Sequence, residues 1–514
     1  PLMQLLISTL SIRLIHSSDT HGWLYGNPHD KKQNAKFGDI LSFIAAQKKI
    51  QPTIALDSGD FIQGSGLSDA SKKVGEYVYE AWKESFQHDY YDYVTVGNHD
   101  IMVNEAVEQM LHMLHMLHMF EDPKSRNHTL SYNVFENSGA MSLRYTLREF
   151  DKQKVLITGL MYNMTPSKPL QILPYFQEML ADQQFSSAAR DATLHLIMVH
   201  IGLHQNPGSY HQLYELIRSI SPAPIIILGG HEHQTGYEYG VDIRNFTSPF
   251  PQLIQNGKDM NTIFVESENY FKSLTILDFE IKSGVLANVN YKVMVTDKEE
   301  MLKACGLTKF DDEAAENIQK TIDKHVDDLK ILEVLGESPA AYYFLESDYH
   351  NKSSLWNLWM YDVVPNVLYK LNDSGKLKND PQHILGTSFF NSDVPKGLVY
   401  VNDLYVTVPY KTEWFYSYPA VSGKDLKNIY CKMVNGCNAT VFGSPTGFLK
   451  YFITELETLK PEKLYSVILT DYDSSRFESK AKSLGITVKR DEGLYTNLTP
   501  FDVYEKFVRE HWKQ

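Results

Sequence analysis

An α/β protein of two domains is what the sequence predicts, and three observations lead there. Short β-branched apolar runs alternate with polar clusters and helical stretches through the first ~295 residues. A charged, helix-prone segment follows, and from about Leu335 the texture changes to an aromatic-rich mixture that continues to Gln514. Apolar runs of four to eight residues separated by helical segments read as strands of a buried sheet. A chain of 514 residues is also too long for one ordinary core.

Taken in order, the predicted strands are Ile12–His16, Thr53–Leu56, Tyr93–Val96, Leu194–Val199 and Pro224–Leu228. Asp311 to Lys330 reads as a helix connecting the domains. Its Ile318, Ile322 and Val326 recur four apart and form one apolar stripe among acids and lysines. Met110–Met119 repeats Leu-His-Met three times, placing His112, His115 and His118 on a loose helical stripe. A transition-metal site is conceivable there, but a repeated tripeptide without chemical role is the preferred reading. Pro1 to Leu10 is apolar and uncharged, and too short to distinguish a signal remnant from an edge strand or an appended segment.

The composition excludes several classes. A net charge of −14 argues against wrapping a nucleic acid polymer, because counterion release needs clustered Lys and Arg. It does not exclude a small phosphorylated substrate, since bound divalent cations reverse the local sign. No run of eighteen apolar residues occurs, so a membrane-spanning helix is not expected. Three cysteines make no disulfide scaffold; Cys431 and Cys437 are close enough to bridge, with Cys305 left over. N-x-S/T sites at Asn127, Asn163, Asn245, Asn351, Asn372, Asn438 and Asn497 exceed chance and tilt the expected location towards the secretory pathway, extracellular, cell-wall or vacuolar.

Chemistry concentrates where the five runs end: Ser18-Asp19-Thr20-His21-Gly22, Asp57-Ser58-Gly59-Asp60, Gly97-Asn98-His99-Asp100, Val199-His200 and Gly229-Gly230-His231-Glu232-His233. Ligands of open α/β sheets bind beyond the carboxyl ends of the strands, so these clusters are expected to share one crevice. Carboxylate, amide and imidazole donors without thiolate suit borderline or hard divalent ions. There are too many for one closed tetrahedral site, and a bridging carboxylate would naturally hold two ions. Asp57 reads equally well as a turn residue. His16, His195 and His204 read as structural or solvated, and Glu232 is expected to point away from its neighbours.

These motifs, in this order, resemble the calcineurin-like metallophosphoesterases and, within them, the 5′-nucleotidase group, with Ile15-His16-Ser17-Ser18-Asp19-Thr20-His21-Gly22-Trp23-Leu24 similar to the opening motif. The resemblance implies a four-layer αββα sandwich over residues 1–300, a helical linker over 301–334 and a substrate-binding α/β domain over 335–514. It implies that Asp19, His21 and His233 hold one divalent ion (zinc, manganese or similar) and that Asn98, His200 and His231 hold the other, with Asp60 bridging. Two such ions ~3.5–4 Å apart lower the pKa of a shared water and clamp the phosphoryl oxygens. His99 would face the phosphoryl group and stabilise the transition state or protonate the leaving group. Nucleotide 5′-phosphomonoester hydrolysis is the implied activity.

The sequence departs from the family in two places. Met102 fills the position of the acid that orients the catalytic histidine, leaving the neighbouring Asp100 as the candidate partner of His99. In the second domain, Ser353-Ser354-Leu355-Trp356-Asn357-Leu358 with Asp362 resembles a family helix, but Asn391 stands where a substrate-contacting arginine is expected. An arginine fork cannot be replaced by asparagine. Tyr410 is a candidate base-stacking ring, and Tyr472 or Phe477 a candidate second face; with Asn98 and His99 they complete the expected substrate contacts. Competing readings are a nucleotide-sugar or dinucleotide diphosphatase, a cyclic phosphodiesterase, and a metal-binding protein that has lost catalysis.

Overall fold

The computed structural model describes residues 11–512 except 103–106, 109, 112–127, 138, 243–247, 345–350, 369–382, 386–389, 391, 409–413, 434–458 and 491–497. The histidines of the Leu-His-Met repeat and Pro1–Leu10 lie outside the described residues. The chain separates into two compact units, 1–63 with 67–329, and 64–66 with 330–514.

The first unit is built on two sheets. One has the strand order Val285–Val295, Ser273–Lys282, Ile12–Ser17, Thr53–Asp57, Tyr93–Val94, with the last three parallel. In the other, Gln153–Met161, Leu194–His200, Ile225–Gly229 and Lys258–Glu266 run parallel side by side. Residues of period two divide their burial between the two faces. Leu196, Met198, Ile226 and Leu228 meet Leu14, Ile54 and Leu56 of the first sheet. The alternating Ile197, Val199, Ile225 and Ile227 pack against Met179, Phe185, Leu213 and Ile217. Those last four come from helices Tyr175–Ala181, Gln183–Asp191 and Pro207–Ile220. Both faces of these strands are therefore apolar, which is why they read as continuous hydrophobic runs.

Helices Phe37–Ile50, Glu76–Gln87 and Glu313–Asp328 pack together on the first sheet's side. There Trp82 sits against Phe37, Phe61 and Tyr91. The result is a four-layer αββα sandwich. Helix Glu313–Asp328 buries Ile318, Ile322 and Val326, and its N-cap Asp312 accepts from the Ala315 amide. It belongs to the first compact unit.

In the second unit, strands His383–Leu385, Leu464–Thr470 and Phe415–Ser422 form a sheet backed by helices Gly423–Met433 and Asp471–Ser483. Its core holds Tyr418, Ile429, Val467, Leu469 and Phe477. Leu355–Leu358 is helical and runs on into a wide π-helical segment, Trp359–Leu368, that contains Pro365. Cys431 is disulfide-bonded and Cys305 is a free thiol.

Candidate metal centre

All five polar clusters follow directly on strands of the two facing sheets. Asp19 and His21 lie just past Ile12–Ser17, Asp60 past Thr53–Asp57, and Asn98 opens the short helix after Tyr93–Val94. His200 is the last residue of Leu194–His200, and His231 and His233 follow Ile225–Gly229.

The turns are sharp. Asp19, His21, Asp60, His231 and His233 have φ of +53°, +49°, +61°, +84° and +64°, a conformation L-residues rarely adopt. Each such residue costs of the order of 1–3 kcal/mol and persists only where the surroundings over-determine it. The surroundings do so here. Asp57, wholly buried, accepts from the Ser17 hydroxyl (2.6 Å) and the Gly59 amide (2.8 Å), fixing the turn that carries Asp60. Burial pushes its carboxyl well above the usual range. Gly230 must be glycine, because a Cβ would lie 2.0 Å from Ser18 Oγ and 2.8 Å from Asp19 Oδ2.

Two groups of side chains converge, Asp19 with His21 and His233, and Asp60 with His200 and His231; within each group the donor atoms lie within 4.8 Å of one another. Asn98 joins the second group, its Oδ1 3.2 Å from His200 Nε2. Asp60 Oδ2 lies 3.1 Å from His200 Nε2 and 3.9 Å from His21 Nε2, so one carboxylate oxygen addresses both groups. Asp19 Oδ1 lies 3.5 Å from His233 Nε2.

Two of the imidazoles are oriented by backbone. His21 Nδ1 is held by the Ile62 carbonyl at 2.9 Å, and His200 Nδ1 by the Ser58 carbonyl at 2.7 Å. A proton kept on Nδ1 leaves each Nε2 lone pair directed inward, as a metal-ligating histidine requires. The donor set therefore fits two divalent cations, with oxygen and nitrogen ligands only.

The electrostatics carry the same message. Burial would raise the Asp19 and Asp60 carboxyls, yet the surrounding histidines hold both well below the ordinary range. Burial favours a neutral His200, but the Asp60 carboxylate raises its pKa to about 10. Burial lowers His21 and His231 to about 4, supporting the neutral imidazole that a ligand must be.

His99 lies beside this cluster, its ring 5.1 Å from that of His21 and nearly perpendicular to it. Its amide donates to Asp60 Oδ1 at 2.8 Å, and its Nδ1 is 2.7 Å from Gln63 Oε1. Burial lowers its pKa. Asp100, expected beside His99 as a catalytic partner, turns away from it. Its carboxylate accepts from the amides of Asp60, Phe61 and Gly97 and from the Tyr79 hydroxyl, at 2.8–3.1 Å. Burial and the neighbouring Asp60 charge push it up to about 7. Asp100 is a brace for the Asp60 turn. Met102 is half-exposed, with its sulfur 3.6 Å from Asn98 Nδ2.

The flanking residues are structural. His16 is buried between the Ser267 and Ser58 hydroxyls, and Glu232 accepts from the His204 and Gln205 amides. His195 is fully buried and His204 is exposed.

Sequence reasoning missed Gln63 and two rings, Tyr162, 4.9 Å from His231, and Tyr270, 5.7 Å from His233. Gln63 stood only three residues beyond Asp60 and could have been found; nothing local marks either tyrosine. Of the expected second-domain contacts, Asn391 and Tyr410 lie outside the described residues, as does the ring of Tyr472. Phe477, expected as a base-stacking face, is instead wholly buried against Tyr418, its ring 5.0 Å away, and offers no face to a base.

Residues 12–235 match the family described as calcineurin-like phosphoesterase. An uncharacterized protein of Schizosaccharomyces pombe is 24% identical over 469 residues, covering 83% of this chain and 72% of its own. The crystal structure of 5′-nucleotidase from Candida albicans superimposes with a TM-score of 0.75 at 17% identity, covering 97% of this chain and 98% of that one. That of a 5′-nucleotidase precursor from Thermus thermophilus gives 0.62 at 15%, covering 98% and 97%. Both likenesses establish the fold.

Proposed function

We propose that this metal-dependent phosphoesterase, built on a calcineurin-like domain in a 5′-nucleotidase-type fold, hydrolyses a nucleotide 5′-phosphomonoester. One observation carries the reading: Asp60 Oδ2 stands 3.1 Å from His200 Nε2 and 3.9 Å from His21 Nε2, at the meeting of two ligand groups. Asp19, His21 and His233 would hold one cation, Asn98, His200 and His231 the other, and Asp60 both. When bound, a pair of divalent ions supplies a Lewis-acid clamp for phosphoryl oxygens and activates water near neutral pH.

The chain's own residues do the rest. With Nδ1–H donated to Gln63 Oε1, His99 presents Nε2, the nitrogen that would donate to a phosphoryl or leaving-group oxygen from the doubly protonated ring. Such a preorganised donor is worth ~2.7–4 kcal/mol of barrier, or ~10²–10³ in rate. Asn98 would contact the substrate as well as an ion, and Tyr410 and Tyr472 are proposed base-stacking rings.

Asn391 in the expected arginine position favours a second reading, a diphosphate link in a nucleotide sugar or dinucleotide, or a cyclic phosphodiester. Among the described residues no helix is long and apolar enough to cross a membrane. With seven N-x-S/T sites, we place the protein in the secretory pathway.

The test is a panel of nucleoside monophosphates, nucleotide sugars, dinucleotides and cyclic nucleotides, assayed with manganese or zinc, for the parent and His99→Asn. Turnover of monophosphates that falls at least 100-fold in the variant supports the proposal. Turnover of diphosphate links or cyclic esters alone supports the second reading. A parent inert on every phosphoester, although loaded with metal, would mark it as a binding protein.

A further inference from the structure

Among the described residues no acid is hydrogen-bonded to the His99 ring: Asp100 is engaged by backbone amides and Tyr79, and Met102 is an apolar residue turned half to solvent. Yet its ring is held. Gln63 Oε1 lies 2.7 Å from His99 Nδ1, and the Gln63 backbone is itself fixed, with φ of +61° and its amide donating to Ser68 Oγ at 2.9 Å. The same four-residue turn supplies the Asp60 carboxylate and the Ile62 carbonyl that holds His21 Nδ1. Asp60 Oδ1 in turn accepts from the His99 amide, so the turn grips His99 by both backbone and ring.

We propose that Gln63 is the positioning residue of His99: its amide oxygen accepts the Nδ1 proton, fixing the ring plane and keeping Nε2 as the nitrogen that faces the reacting phosphoryl group, to which it donates when the ring carries its second proton there. A glutamine carbonyl makes the hydrogen bond a carboxylate would make, without its charge. Gln63 acts through His99 and has no claim to touch substrate. The inference rests on the assignment of His99 to the reaction, and its test separates the two.

Gln63→Met keeps the length of the side chain and removes the acceptor. Gln63→Asn tolerates the left-handed backbone but is one methylene too short, and Gln63→Glu restores an acceptor. For Met and Asn the expected result is a fall in kcat of ~10–100-fold, the scale of losing a partner that orients an active-site histidine. KM, the melting temperature and a content of two metals per chain should stay near the parent's. Gln63→Glu should recover most of kcat. Independently of turnover, ring nitrogen-15 spectra of histidine-labelled protein, with the His99 signal identified by its loss in His99→Asn, should show one Nδ1-protonated tautomer in the parent. Met and Asn should give a mixture. Parent-like kcat in Met and Asn, losses that merely track metal content or melting temperature, or an unchanged tautomer would each overturn the proposal. A parent that hydrolyses nothing would fail the catalytic reading alone, leaving the tautomer comparison to decide on Gln63.

Discussion

Adding a single methyl group at Gly97 tests whether the cluster is built as described. A Cβ there would lie 2.1 Å from Asp60 Oδ1 and 2.5 Å from the Asp60 amide nitrogen. Non-bonded carbon and oxygen do not approach below about 3 Å, so the carboxylate or the Gly97 backbone must retreat by about 1 Å. That carboxylate accepts from the His99 amide and faces His200 and His21. Misplacing a reacting constellation by about 1 Å can cost on the order of 100-fold in rate. Overpacking of this kind also costs ~1–3 kcal/mol of stability, a fall in Tm of roughly 2–10 °C for a unit of this size. Gly208→Ala is the matched control, since nothing lies within 4 Å of a Cβ at that helical position. The assay is metal stoichiometry by mass spectrometry, kcat on the best phosphoester, and thermal unfolding, all on the full chain. A folded Gly97→Ala that holds two metals and turns over within threefold of the parent would refute the placement of Asp60.

Arg218 and Asp259 form a fully buried ion pair at 2.7 Å, so Asp259→Ala, which strands the guanidinium, should cost ~3–5 kcal/mol in urea unfolding; a loss below about 1 kcal/mol would show the pair to be dispensable. His195 is fully buried with neither ring nitrogen hydrogen-bonded, and burial, helped by the Arg218 charge, lowers its pKa to about 3. The unfolded chain therefore takes the proton first: this contribution is complete above about pH 6.5 and is lost progressively down to about pH 3, by about 3 kcal/mol at pH 4.5. His195→Leu should flatten that part of the acid limb, and an unchanged slope of stability against pH would reject the assignment. Chelation should abolish turnover and lower Tm, since an ion present at 100 times its Kd stabilises by ~2.7 kcal/mol, and added manganese or zinc should restore both; indifference to chelation would exclude a metal role for the cluster.

How much was legible in advance differs from element to element. The strands that carry the polar clusters could be read because parallel strands buried on both faces leave an unbroken apolar run, as Leu194–His200 and Ile225–Gly229 do. Helix Glu313–Asp328 was legible through its stripe, but not its attachment, since an apolar stripe says that a helix packs without saying on what. Asp100 was misread because an acid beside a histidine in sequence suggests a pair. On a short helix neighbouring residues point about 100° apart, and the free amides of the Asp60 turn claimed the carboxylate first. Phe477 was misread because an aromatic residue fills a core as readily as it stacks on a base.

By itself, then, the sequence determined the α/β class and a set of oxygen and nitrogen donors at strand ends, because burial period and residue chemistry are local properties. Only the tertiary structure decided that Asp60 stands between His21 and His200, that Gln63 rather than an acid holds His99, and that Tyr162 and Tyr270 border the cluster. Those relations join residues far apart in the chain, and they exist only once two sheets have packed and their turns have been brought together.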